Sequence, residues 1–179
     1  MLDYLKFYPK EQKLRQLLLT HSTMVAEEAL EAVGRHPELH LDADSLEFIR
    51  EAAMLHDIGI AQCDAPSIYC KGTEPYIRHG VIGRQILEEA GLPRHALVCE
   101  RHTGSGITAE EIRERYMPLP CRDMLPISIE EKAICYADKF YSKSGDPTRR
   151  KSLARAIASI AKFGRKPLER FLKLHRQFG

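Results

Sequence analysis

The chain has 179 residues, 44% of them hydrophobic and 29% charged, with a formal net charge of +2. That length supports one domain with a sizeable core, and that composition is ordinary for a soluble globular protein. The near-neutral balance excludes a polyanion binder acting through overall charge, and no apolar run approaches the roughly 18 residues needed to cross a bilayer. The start, Met1-Leu2-Asp3-Tyr4-Leu5-Lys6-Phe7, is too charged and interrupted for a signal peptide. Five cysteines at irregular spacing, with no CxxC, fit a reducing cytoplasm and neither a disulfide framework nor a cysteine zinc site.

Residues 11–34 read as a long helix, because Leu14, Leu17, Leu18, His21, Met24 and Val25 fall at spacings of three and four. His21 therefore points inward. Alone, an inward histidine is more often a satisfied core residue than a ligand. His36 and His40 lie in the polar loop around Pro37 and read as surface residues. Asp44-Ser45-Leu46-Glu47 offers an N-cap with an acidic third position. The helix it starts carries Leu46, Ile49, Ala52, Ala53 and His56 on one face, then Asp57, and Gly59 stops it. A histidine and an aspartate thus stand together at the inner end of an apolar helix, where a carboxylate must be paired or bound to metal.

Residues 58–76 lack a clear period and are punctuated by Gly59, Pro66, Gly72 and Pro75. A loop of that length in a small domain is often a substrate-binding segment. Tyr69, Lys71, Tyr76 and Arg78 lie in it or at its edge. A helix over about 75–90 carries His79, Ile82, Gly83, Ile86 and Leu87 as its stripe, and a short helix follows with His95, Val98, Cys99 and His102. His95 sits early in that helix and is left outside the candidate site. Thr103-Gly104-Ser105-Gly106-Ile107-Thr108 is either a plain flexible turn or a segment whose amides approach an anion. Thr108 to Glu111 and Ser128 to Glu131 are capping-box patterns. The second opens a helix bearing Ile134, Ala137, Asp138 and Tyr141, which places an acid on an apolar stripe.

Asp146-Pro147 marks another expected helix start. From there Arg149, Arg150, Lys151, Arg155, Lys162, Arg165, Lys166, Arg170, Lys173 and Arg176 face a single acid, Glu169. Solvated helix faces are the preferred reading of that basic region; a nucleic-acid-attracting patch is the alternative. No internal repeat and no second domain is visible. The expected organisation is a single domain over 1–179, with a core at about 11–145 and a basic helical region at about 146–179.

Six groups, His21, His56, Asp57, His79, His102 and Asp138, form the candidate metal set. Imidazole and carboxylate suit first-row divalent metals. Six ligands exceed what one tetrahedral zinc needs and suit two metals sharing a carboxylate.

The order His21, His56-Asp57, Asp138 resembles the HD superfamily of metal-dependent phosphohydrolases, and Leu55-His56-Asp57-Ile58-Gly59 is similar to the HDIG form of its motif. The likeness runs from about His21 to Tyr141. It implies an all-α fold, a helical bundle with the metal site between helices, and His21, His56, Asp57 and Asp138 as the basic metal set. His79 and His102 resemble the additions of the dinuclear branch. That branch includes diadenosine-tetraphosphate hydrolases, cyclic-dinucleotide phosphodiesterases and mixed-valent di-iron oxygenases. Many HDIG proteins place a lysine after the glycine, where it meets substrate phosphate. Here Ile60 stands there, so Lys71, Arg78, Arg101 and Lys139 are the candidate substrate contacts. No second histidine adjoins His102 and no Gly-Tyr-Pro follows, which argues against a cyclic di-GMP phosphodiesterase.

The expected function is a phosphohydrolase acting on a nucleotide or another small phosphate ester. A hydroxide bridging two metals would attack phosphorus, with Asp57 as the bridging carboxylate and His56 beside it in the catalytic pair. Iron or manganese are the first choices for the two divalent ions, with zinc, nickel or magnesium as alternatives. A di-iron oxygenase built on the same ligands, and a non-catalytic module stabilised by metal, are the competing readings. The expected partner is a small phosphorylated molecule and not a membrane; a homo-oligomer is compatible with the sequence.

Overall fold

The structure, a computed structural model, describes residues 2–179. Among the described residues it is built of helices, with one two-stranded antiparallel ribbon, Asp64–Ala65 against Cys70–Lys71. The all-α expectation holds, and the aperiodic stretch after Asp57 is that ribbon with three short 3-10 turns around it.

Helix α1 (Gln12–Gly34) buries Leu14, Leu18, Val25, Ala29 and Ala32 along one face, and Glu11 caps it by accepting the Leu14 amide. Helix α2 (Ala43–Leu55) starts before the expected Asp44 cap. Asp42 is its N-cap and accepts the Ser45 amide at 2.8 Å. The third helical position is then Ser45, so no acid closes a capping box, and Leu46 turns outward at 37% exposure. Phe48, Ile49, Ala52 and Ala53 form the buried face instead.

Helix α2 ends at Leu55, and Asp57 leaves the helical region at φ −113° and ψ 6°. Gly59 is not a left-handed stop. It lies in the 3-10 turn Ile58–Gln62, pressed against helix α3 (His79–Glu89). A Cβ there would collide with the His79 carbonyl oxygen and the Gly83 amide. Only glycine permits that approach, and it sets the first residue of α3 beside the end of α2. Gly80 is similarly close to the Cys99 carbonyl of helix α4 (Pro93–Arg101).

Helix α5 (Ala109–Glu114) has the full capping box between Thr108 and Glu111. Helix α6 (Ile129–Asp138) has half of one. Ser128 accepts the Glu131 amide, but the Glu131 carboxylate turns to the Ile127 amide and to Arg101. The helix stops at Asp138, so Tyr141 lies beyond it. The expected start at Asp146-Pro147 is a turn. Asp146 accepts the amide and hydroxyl of Thr148, two residues on, a local bond that competes with a helix cap. Ser152 is the cap that opens helix α7 (Leu153–Ala161), and helix α8 (Arg165–Phe178) closes the chain.

Helix α1 packs on α2 and α6, α4 packs on α2 and α6, and α3 packs on α4. Helix α8 lies on α6, where Tyr136, Phe140, Phe171 and Phe178 are all buried and in ring contact. Four of the ten cations of the basic region are paired with acids: Arg150 with Glu28, Lys166 with Glu110, Arg165 with Glu169 and Arg170 with Glu111. No helix among the described residues is long and apolar enough to cross a membrane.

Candidate metal centre

Five elements deliver the six candidate ligands to one buried point. His21 comes from the middle of α1, His56 caps the C-terminus of α2 with Asp57 after it, and His79 begins α3. His102 caps the C-terminus of α4, and Asp138 is the last residue of α6. The C-terminal ends of α2, α4 and α6 thus meet here, and the partial negative charge of helix C-termini favours a cation.

The Asp57 carboxylate stands at the centre. Its Oδ2 lies 3.2 Å from His21 Nε2 and 2.9 Å from His56 Nε2. Its Oδ1 lies 3.5 Å from His79 Nε2 and 3.4 Å from His102 Nε2. Asp138 Oδ1 closes the first side, 3.1 Å from His21 Nε2 and 3.5 Å from His56 Nε2. The ligand atoms therefore fall into two groups that share Asp57. One is His21, His56, Asp57 and Asp138; the other is Asp57, His79 and His102.

Three of the four imidazoles are oriented by their own helices. The Nδ1 atoms of His56, His79 and His102 lie 2.6, 2.7 and 2.8 Å from the carbonyl oxygens of Ala53, Tyr76 and Cys99. A carbonyl only accepts, so each Nδ1 carries a proton and each Nε2 turns toward the site. Such second contacts fix the tautomer of a metal-ligating histidine. His21 has no such partner for Nδ1.

The electrostatics fit the same chemistry. Burial lowers His79, and His102 beside it adds to that, to about 3; burial lowers His102 too. Both stay neutral, as ligation requires. His56 is the exception: burial works against its charge, but Asp57 and Asp138 push it up to about 9, so its Nε2 proton must leave when a metal binds. Burial also opposes ionisation of the two aspartates. His56 and Lys143 beside Asp57, and Lys139 and Lys143 beside Asp138, nevertheless hold both well below the usual carboxylate range. Neither oxygen of Asp57, nor His56 Nε2, has a hydrogen bond of good geometry although all are buried. Buried polar atoms in that state cost free energy unless a cation takes them; the Lys143 ammonium reaches Oδ2, while, among the described residues, Oδ1 faces only the imidazoles of His79 and His102. This donor set fits divalent metal.

The candidate substrate contacts are placed differently. Lys139 is buried beside the site, with Nζ donating to the His102 carbonyl at 3.0 Å and to Asp138. It lines a cavity of about 610 Å³ that opens from Asp138. Lys71, Arg78 and Arg101 are not among the residues lining that cavity. Lys71 is exposed on the ribbon, Arg78 pairs with Glu74 at 2.8 Å, and Arg101 donates twice to Glu131. His95 pairs with Glu51 and packs on Phe48, apart from the cluster. His36 pairs with Glu38 in its loop.

Lys143 is the functional candidate that sequence reasoning missed. Its Nζ lies 2.5 Å from Asp57 Oδ2, its side chain is 12% exposed, and it lines the cavity. The sequence shows only a lysine between serines, five residues after Asp138, with no periodic element to aim it. Thr103 to Ile107 also line the cavity, but Gly106 and Ile107 have already committed their amides to Thr103 and Met124.

Comparison with known proteins agrees with this geometry. Residues 18–142 match the family described as HD domain. The chain is 37% identical over 122 residues to an uncharacterised protein of Methanocaldococcus jannaschii, covering 68% of this chain and 64% of that protein. It is 35% identical over 95 residues to a tRNA (cytidine(56)-2'-O)-methyltransferase of Picrophilus torridus, covering 52% of this chain and 24% of that enzyme. The chain therefore spans less than two thirds of each of these relatives.

Proposed function

Because the chain belongs to the HD domain family, whose members are mostly metal-dependent hydrolases, we propose that it is a dinuclear metal phosphohydrolase acting on a small phosphate ester, with nucleotides among the first candidates. The observation that carries the reading is the Asp57 carboxylate, with Oδ2 facing His21 and His56 and Oδ1 facing His79 and His102. A carboxylate so placed suits two ions, iron or manganese in the first instance. Held there by His21, His56, Asp57, His79, His102 and Asp138, two divalent ions would supply an activated water and stabilise charge on the phosphoryl group.

The chain's own residues supply the rest. The carbonyls of Ala53, Tyr76 and Cys99 hold three imidazoles in a fixed orientation, so little reorganisation is needed during reaction. Lys139 and Lys143 stand at the cavity end nearest Asp57 and Asp138. They provide positive charge for the substrate phosphate, the part played in many HDIG proteins by a lysine where Ile60 stands here. His21, His56 and Asp57 are fully buried, and charge contacts are stronger in such surroundings than in water.

A panel of phosphate esters, assayed with manganese and with iron while oxygen uptake is recorded, tests the reading. Ester hydrolysis with either metal and no oxygen consumption is the expected result. Oxygen uptake supported by iron alone, with no ester hydrolysed, would replace it with the oxygenase reading.

A further inference from the structure

The cavity is chemically two-ended. At one end stand Asp138 and three lysines, Lys139, Lys143 and Lys151. An ammonium group has three donors. Lys139 commits two, to the His102 carbonyl and Asp138, and Lys151 commits one, to the Tyr141 carbonyl. Donors therefore remain for an anion. The other end is walled by Ile77, Ile107 and Met117, which border the small apolar cluster around Ile112, and by Ile160 and Phe163 at the end of α7. Phe163 is 54% exposed, a large apolar ring left at the cavity wall without cover.

The polar groups near that second end are engaged within the protein. The Ser105 hydroxyl donates to the Pro167 carbonyl and the Ser159 hydroxyl to the Arg155 carbonyl. Arg170 is spent on Glu111 and on the carbonyls of Ser105 and Gly106. Arg115 donates to the Phe163 carbonyl and keeps further donors at the rim, so what this end offers the body of a ligand is mainly apolar wall. The walls from Ala156 to Arg170 come from α7 and α8, outside the region 18–142 that matches the family.

We infer that the cavity takes a phosphate monoester of an apolar alcohol, with its phosphate against the three lysines and its hydrocarbon body along Ile77, Met117, Ile160 and Phe163. This rests on the phosphohydrolase reading and narrows its substrate class. A volume of about 610 Å³ accommodates a medium-length chain.

The test uses the manganese-loaded protein and two series of one to eight carbons. n-Alkyl phosphonates report binding by calorimetry, and n-alkyl phosphates report kcat/KM, with nucleoside monophosphates alongside. Phosphonate affinity and kcat/KM should each rise about fourfold per added methylene until the cavity is full. Octyl phosphate should exceed every nucleotide. Phe163→Asp alters an exposed ring that the fold does not need, and should flatten the rise with chain length. Lys151→Gln should lower affinity for all lengths by a similar factor. Hydrolysis of nucleotides or methyl phosphate with no dependence on chain length, in either series, overturns the apolar-ester proposal and leaves the phosphohydrolase reading standing. Affinity that climbs with chain length while no ester is turned over supports the ligand class and overturns the phosphohydrolase reading.

Discussion

At the residue scale the account turns on Asp57 and Asp138, which have different tasks. Asp57 touches both ligand groups, whereas Asp138 faces only His21 and His56. Elemental analysis should therefore show Asp57→Ala losing both ions, and Asp138→Ala losing mainly the one it faces. Full metal and full activity in both variants would mean that the carboxylates are not ligands. Lys143 has another task. Lys143→Ala should keep its metal and raise KM about tenfold or more, the range for losing a hydrogen bond to a charged group. Lys143→Arg should recover part of that loss. Metal loss in Lys143→Ala with unchanged KM would make it a structural counter-ion instead. Asp57, Asp138 and the four histidines were visible in the sequence because each sits on or beside an apolar helical stripe. Lys143 was not, because it reaches the site from an irregular segment.

At the element scale, helix ends decide where chemistry goes. All ligands except His21 stand at or beside a helix terminus, and Gly59 sets the end of α2 against the start of α3. The sequence shows Gly59 as punctuation, since a backbone-to-backbone approach between distant segments leaves no periodic signal. The misplaced starts at Asp44 and Asp146 have different causes: Asp42, two residues earlier, takes the cap of α2, whereas the Asp146 side chain closes a turn on Thr148 instead of capping a helix. Glu111 does two jobs in α5. It completes the capping box with Thr108 and binds Arg170 of α8 at 2.8 Å. Burial opposes its charge, but the Thr108 amide and Arg170 hold its folded pKa below the ordinary 4.5. Its stabilising effect is therefore complete above 4.5 and fades as pH falls through the lower folded value. Urea unfolding should show Glu111→Gln less stable than wild type by about 1–3 kcal/mol at pH 7. The two should converge as the solution is acidified below the ordinary glutamate range. A difference that stays constant with pH would assign the cost to packing.

At the scale of the whole molecule, the bundle brings five elements to one buried point. Helices α7 and α8 then wall the cavity that leads there. Helical content and the six candidate ligands that the fold brings together could be read ahead of the structure because both follow from period and residue type. The cavity's apolar end could not, since Ile77, Met117 and Phe163 come from separate segments and meet only after folding. The central claim is that the six ligands hold two ions joined by Asp57. Anomalous X-ray diffraction from crystals of the manganese-loaded protein measures it directly. The account predicts two peaks about 3.5–4 Å apart, one against His21, His56, Asp57 and Asp138 and the other against Asp57, His79 and His102. A single peak, with His79 and His102 turned away from it at saturating metal, would contradict it.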